Sequence, residues 1–203
     1  MLLVGLTGGI GTGKTYILQR IAVYGYPTYS ADQRAKALME EDAELKKHIQ
    51  ALLGKEAYTP EGKLHRSFVA ERIFQDASLR QKINQLVHPR TGLDFLQWVE
   101  ERRQEGHKAV FKEAALTIEA GAFQGLDCLV MIYAPLQVRL ERLRRRGDLS
   151  PEETFQRLRA QWPEWRKIAY ADFVIVNDGI LPLEPQLVTL FQQLHLPLPT
   201  TFA

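Results

Sequence analysis

The sequence has one cysteine, Cys128, so no disulfide can form within the chain. That thiol lies in the apolar run CLVMIY and reads as a buried, inert group suited to a reducing cytosol. No apolar run approaches the ~20 residues that a membrane-spanning helix needs. The start, MLLVGLTGG, reaches glycine too soon and carries no basic leader, which argues against a signal peptide. Cytoplasmic placement is the expectation. The formal net charge is only +2 over 203 residues, which does not indicate a strong non-specific attraction to nucleic acid. There is no internal repeat and no low-complexity tract. His48, His65, His107 and His195 have no metal-ligand spacing. Small-molecule partners are the expectation, with neither nucleic acid nor membrane; oligomeric state is left open.

What is present is ordinary in bulk and specific in order. The chain is 45% hydrophobic and 25% charged, a composition that builds a core without covalent staples. LLVGLTG reads as a strand, and KTYILQRIAVYG as a helix stopped by Gly25. YPTYSAD predicts a second strand, and ADQRAKALMEEDAELKKHIQALLG one or two helices. RSFVAERIF, ASLRQKINQLVHP and RTGLDFLQWVEERRQEG predict three separate helices. HKAVFKEAAL, LDCLVMIYA and ADFVIVNDG have strand character. LQVRLERLRRRG predicts a basic helix. SPEETFQRLRAQ opens with an N-cap serine, a first-turn proline and acids, and PLEPQLVTLFQQLHL predicts a closing helix. Strands alternating with helices predict a parallel sheet covered on both faces.

The stretch GGIGTGKT, Gly8 to Thr15, fits G-x-x-x-x-G-K-[ST] at every position. Small residues let successive N–H groups converge on an anion. The helix starting near Gly13 adds its positive end. Gly9, Ile10, Gly11, Thr12 and Gly13 form the cradle, Lys14 bridges the β- and γ-phosphates, and Thr15 offers a hydroxyl to Mg²⁺. The Tyr16 amide, in the first helical turn, is placed for the α-phosphate. The plain alternative is a flexible turn with a chance lysine. The strand before and the helix after favour the nucleotide site. A dinucleotide fold is disfavoured, because no G-x-G-x-x-G with a matching acid follows the first strand.

A phosphate loop does not name a reaction. The guanine signature asparagine-lysine-x-aspartate is missing, and no apolar run ending in an acid gives a clear Walker-B strand. Arg139, Arg142 and Arg146 share one helical face, as a phosphate clamp or as a solvated basic surface. Asp32 follows the second strand and by its residue type alone is equally a helix cap for a helix starting near Gln33. Asn177 is either near a bound base or a turn former.

The ordered set GLTGGIGTGKT, SAD, GKLHRSFVAERIF, VHP, EAALTIEAG, RLERLRRRGDLSPEE and RLRAQWPEWRKIAYADFVIVNDG resembles the dephospho-CoA kinase family through nearly the whole chain. The resemblance implies an α/β fold, a P-loop NTPase-type parallel sheet flanked by helices, with a helical substrate-binding insertion and a basic lid. As one domain, it implies a core at about 1–32, 106–138 and 167–203, an acceptor part at about 33–105 and a lid at about 139–166. It implies ATP-dependent phosphorylation of the ribose 3′-hydroxyl of dephospho-CoA, the last step of coenzyme A synthesis, with Mg²⁺. Another P-loop nucleoside or small-molecule kinase, or a nucleotide switch, is the alternative.

By the same resemblance Asp32 faces the acceptor hydroxyl, and Arg66, His88 and Glu113 lie on the acceptor side. Arg142 and Arg146 are implied to be lid arginines on ATP phosphates, with Arg142 assisting transfer and Asn177 near the base. The chain departs from the family at Ser30, where a second aspartate is usual, and at Lys36 and Arg139, where arginine and glutamine are common. Ala115 replaces a proline and Thr117 a leucine.

Overall fold

A computed structural model describes residues 1–198. Among the described residues five strands form one parallel sheet: β1 (Leu2–Thr7), β2 (Thr28–Ser30), β3 (Ala109–Glu113), β4 (Cys128–Tyr133) and β5 (Phe173–Val176). Their spatial order is β2-β3-β1-β4-β5, with β1 at the centre. Leu6 pairs in register with Glu113 on one side and Val130 on the other. Each crossover between parallel strands demands a covering element, which is why the interior strands read as apolar runs. Val4, Leu6, Phe111, Val130 and Ile132 are fully buried.

α1 (Lys14–Val23) lays Ile17, Leu18 and Ile21 on this sheet, a spacing that makes one helical face. α9 (Leu183–Gln193) adds Leu187, Leu190 and Phe191 to the same core. Each such side chain contributes about 1.5–3 kcal/mol on burial. The chain after β4 continues as α6 (Leu136–Arg146), α7 (Pro151–Arg159) and α8 (Glu164–Ile168). The expected cap of α7 is present as a reciprocal box: Glu153 N–H donates to Ser150 Oγ at 3.1 Å, and Ser150 N–H to Glu153 Oε2 at 2.7 Å.

The described residues divide into two compact units, Met1–Ser30 with 102–198, and Ala31–Glu101. The second is helical: α2 (Ala31–Glu41), α3 (Ala43–Leu53), a 3-10 turn at Lys55–Ala57, α4 (Arg66–Gln75) and most of α5 (Ala77–Gln104). Asp42 separates α2 from α3 by accepting from Glu44 N and Leu45 N at 2.9 and 3.0 Å. Leu45, Ile49, Val69, Ile83 and Val87 form its core.

Two expectations are corrected here. The segments ASLRQKINQLVHP and RTGLDFLQWVEERRQEG are one helix, with Pro89 inside it. An interior proline costs about 3 kcal/mol. Ile83 and Val87 before it and Phe95 and Val99 after it are pairs four residues apart, and all four are buried. Four such burials at about 1.5–3 kcal/mol each outweigh the break. The other correction concerns Asp32. α2 begins at Ala31, so Asp32 is not its cap but an exposed residue of its first turn. A carboxylate there still favours the positive helix end.

Candidate functional site

In a parallel sheet all carboxyl ends share one edge, the usual ligand edge of open α/β folds. Here that edge gathers the loop after β1, Ser30, Glu113 and Asn177 from the ends of β1, β2, β3 and β5. The loop from Gly8 to Gly13 feeds α1, whose first-turn amides have no acceptor further back in the helix. Such amides and the helix dipole bind anions. Thr15 and Tyr16 are exposed on this turn, while Lys14 is buried.

The loop is preformed from within. Gly9 O accepts from Lys14 Nζ at 3.1 Å, Thr12 Oγ1 at 2.9 Å and Thr12 N at 3.3 Å. It is also braced from outside. Arg139 Nε donates to Ile10 O at 2.7 Å. Asn177 Nδ2 donates to Thr12 O at 2.8 Å, and Arg142 reaches the same carbonyl at 3.4 Å and Asn177 Oδ1 at 3.3 Å. Ile10 N–H donates to Gln161 Oε1 at 2.8 Å.

This crowding explains two glycines beyond the need for anion access. A Cβ on Gly9 would stand 2.3 Å from Glu164 Oε1 and 2.4 Å from Arg139 Nη2. Gly13 has φ +90°, and its Cβ would stand 2.3 Å from Asn177 Nδ2. The first position needs space; the second needs both space and the left-handed backbone that glycine tolerates.

Behind the braces lies a buried charged frame. Arg139 Nη1 is 3.0 Å from Glu164 Oε1, with side chains 6% and 14% exposed. Lys167 Nζ, fully buried, is 2.8 Å from Glu119 Oε1, which also accepts Trp162 N–H at 3.0 Å. The lysine contact is an ion pair without the direction of a good hydrogen bond, and Glu119 Oε2 has no partner among the described residues.

The residues singled out from sequence fall in different places. Lys14, Arg142 and Asn177 converge on the loop. Arg146 does not: its Nε donates to Asp148 Oδ1 at 2.7 Å, and this hydrogen bond holds the exposed Asp148 carboxyl below its ordinary range. Asp178, next to Asn177, accepts from Leu181 N at 2.9 Å and Ile180 N at 2.8 Å, and these bonds lower its carboxyl likewise. Glu113 is buried at the end of β3 and accepts Ser30 Oγ–H at 3.0 Å. The serine thus supplies a donor where a second carboxylate would repel the first.

In the helical unit Arg66 is 3.4 Å from Glu40 and largely exposed. His88 lies exposed on α5, next to Pro89. Lys36 stands one turn beyond Asp32 on the same exposed face of α2. Gln161, Glu164 and Lys167 were not visible as functional from sequence, since none stands in a motif of its own; Glu119 shows only as the acid that closes EAALTIE, which reads as a surface residue. The nearest signal was WPEW, which contains Glu164 and lies between Gln161 and Lys167.

No helix among the described residues is long and apolar enough to cross a membrane. The profile of the family described as CoaE, dephospho-CoA kinase, matches residues 2–182. A dephospho-CoA kinase of Bacteroides fragilis is 36% identical over 196 residues, covering 95% of this chain and 94% of its own length. A solved Thermus thermophilus structure superposes with TM-score 0.78 at 29% identity, covering 95% of this chain and 96% of the other. The dephospho-CoA kinase structure from Campylobacter jejuni superposes with TM-score 0.70 at 27% identity, covering 95% and 96% of the two chains. With its parallel sheet, its braced phosphate loop and these matches, the chain belongs to the dephospho-CoA kinase family.

Proposed function

We infer that this chain transfers the γ-phosphoryl group of ATP to the ribose 3′-hydroxyl of dephospho-CoA, giving CoA and ADP. The observation that carries the reading is the family match across residues 2–182, on a chain whose phosphate loop is complete. A bond forms between the acceptor oxygen and Pγ, the bond from Pγ to the β–γ bridging oxygen breaks, and the hydroxyl proton leaves.

The protein's part in such a reaction is positioning and electrostatics rather than covalent chemistry. Amides of the loop and of the first turn of α1 hold the phosphates. The Lys14 ammonium offsets charge on the β- and γ-phosphates, supported by its internal position against Gly9 O. Arg142, already at the loop through Thr12 O, adds a second cation. Arg146 lies on the same helix and reaches phosphate by exchanging Asp148 for it. Asp32 orients the acceptor hydroxyl and receives its proton late in the transfer; its place two residues past β2, in an exposed first turn, supports this role. Arg66, His88 and Glu113 serve the acceptor side.

Mg²⁺ fits the residues present. It binds through substrate phosphates and a few hard oxygen donors, and Thr15 presents an exposed hydroxyl on the first turn of α1. When bound, the ion neutralises phosphate charge.

The test is ATP consumption by the purified chain with dephospho-CoA, adenosine, AMP, CMP or shikimate. Turnover should appear with dephospho-CoA and stay near background with the others. Absence of acceleration by dephospho-CoA overturns the reading.

A further inference from the structure

The peptide unit joining Gly9 and Ile10 is gripped at both ends. Its carbonyl oxygen meets the Lys14 ammonium at 3.1 Å, and its N–H meets Gln161 Oε1 at 2.8 Å. The lysine of a phosphate loop serves the β- and γ-phosphates. The peptide against which it rests therefore belongs to the γ end of the cradle.

The contact also fixes which way the Gln161 carboxamide faces. An N–H donor can be met only by the carboxamide oxygen, so Oε1 is the atom at Ile10 and Nε2 is the other. The Nε2 group carries two N–H donors and makes no hydrogen bond to any described residue. It is a donor pair held beside the loop with nothing yet to donate to.

Gln161 is held there rather than resting there. The adjoining Trp162 N–H is tied to Glu119 Oε1 at 3.0 Å, and Glu119 is paired with the fully buried Lys167. The Ile10 carbonyl, on the next peptide, is fixed by Arg139, which Glu164 holds. Loop and glutamine are thus positioned by one frame.

We propose that Gln161 is a further catalytic residue: its Nε2 donates to an oxygen of the γ-phosphate of ATP, while its Oε1 holds the Gly9–Ile10 peptide in place. This rests on the reading of the loop as an ATP site. In phosphoryl transfer the equatorial oxygens of the γ group carry the charge, so a donor fixed beside them acts on the group that moves. It also makes the site distinguish a triphosphate from a diphosphate, because ADP has no γ oxygen for Nε2.

The experiment compares binding of ADP and of the non-hydrolysable β,γ-imido analogue of ATP, without acceptor, to wild type, Gln161→Ala and Gln161→Glu. Gln161→Ala should weaken the ATP analogue by roughly 10- to 100-fold and leave ADP within about twofold. Gln161→Glu keeps the acceptor for Ile10 N–H, loses the donors and adds a negative charge, so its loss for the analogue should be larger still. It is nearly isosteric, which keeps the test valid if the alanine variant does not fold. Equal loss of both nucleotides would mean that Gln161 only shapes the loop, and would overturn the proposal. Tighter binding of both would mean that its oxygen competes with phosphate for Ile10 N–H, and would overturn it too. Because no acceptor is present, a failure to phosphorylate dephospho-CoA is a separate result. Wild type that binds neither nucleotide would refute the ATP site itself and this proposal with it.

Discussion

Glu164 Oε1 lies 3.0 Å from the Arg139 guanidinium, which in turn donates to Ile10 O at 2.7 Å. Arg139 is therefore occupied as a strut under the phosphate loop, with its charge matched inside the protein. Removing one partner of a buried pair leaves an uncompensated charge, at a cost of about 3–5 kcal/mol. Glu164→Ala should lower stability by about that amount in urea unfolding. The double variant Arg139→Met with Glu164→Ala should recover a large part of the loss. A single-variant loss below about 1 kcal/mol would mean that the pair behaves as a surface contact.

Gly13 and Asn177 should be coupled. Asn177→Ala removes the 2.8 Å bond to Thr12 O but also clears the atom that a Gly13 side chain would strike. Gly13→Ala alone should abolish most turnover and destabilise by about 1–3 kcal/mol through its left-handed backbone and the clash. Adding Asn177→Ala should relieve the clash and leave the strain, so the double loss falls short of the sum by at least 0.5 kcal/mol, as for residues in contact. Strict additivity in a thermodynamic cycle would show that the two do not meet in solution.

Much of this was legible in sequence because it is written in local rules. The glycines and Lys14 announce the loop, and Ser150, Pro151 and Glu153 announce the start of α7. The sequence misled where a long-range gain overrode a local rule. Pro89 reads as a helix stop, yet the buried spacing of Ile83, Val87, Phe95 and Val99 carries α5 through it. Arg139 reads as a third member of a basic face with Arg142 and Arg146, since helical spacing says which residues share a face but not what the face meets. Its partner Glu164 lies 25 residues on, and Lys167 is matched to Glu119, 48 residues back. Such pairings arise only when the elements pack, and no residue type or spacing marks them beforehand.

Lys14→Ala removes a cation that sits against Gly9 O within the loop. Turnover should fall by about 10²–10³, the loss measured for one electrostatic donor at a developing charge, with weaker ATP binding as well. The circular dichroism spectrum should stay that of the wild type. Turnover within a fewfold of normal would remove Lys14 from the phosphate site.

Asp32→Asn separates orienting a hydroxyl from holding a helix. The side chain is exposed in the first turn of α2 and is not its cap, so the exchange should cost little stability. kcat should drop by about 10²–10⁴, the range for a positioned acid–base group, while KM for ATP changes little. Parallel losses in kcat, ATP affinity and melting temperature would assign Asp32 a structural role.

Cys128 offers a probe of the core that is independent of catalysis. Burial, with Asp172 and Asp127 nearby, pushes its thiol up to about 11 from 9.0. Iodoacetamide at pH 8 should therefore label the native protein far more slowly than the urea-unfolded chain, since the thiolate is the nucleophile. The same shift sets a sign for stability. Below the unfolded thiol's pKa both states hold the proton and the term is constant. Between that value and about 11 the unfolded state loses its proton first, so rising pH favours unfolding. Other groups titrate in this window, and Cys128→Ala isolates the thiol by subtraction. Wild type should lose more stability than Cys128→Ala as the pH rises from 8 to 10. Parallel slopes for the two proteins, with fast native labelling, would place the thiol in contact with water and put the register of β4 against β1 in question.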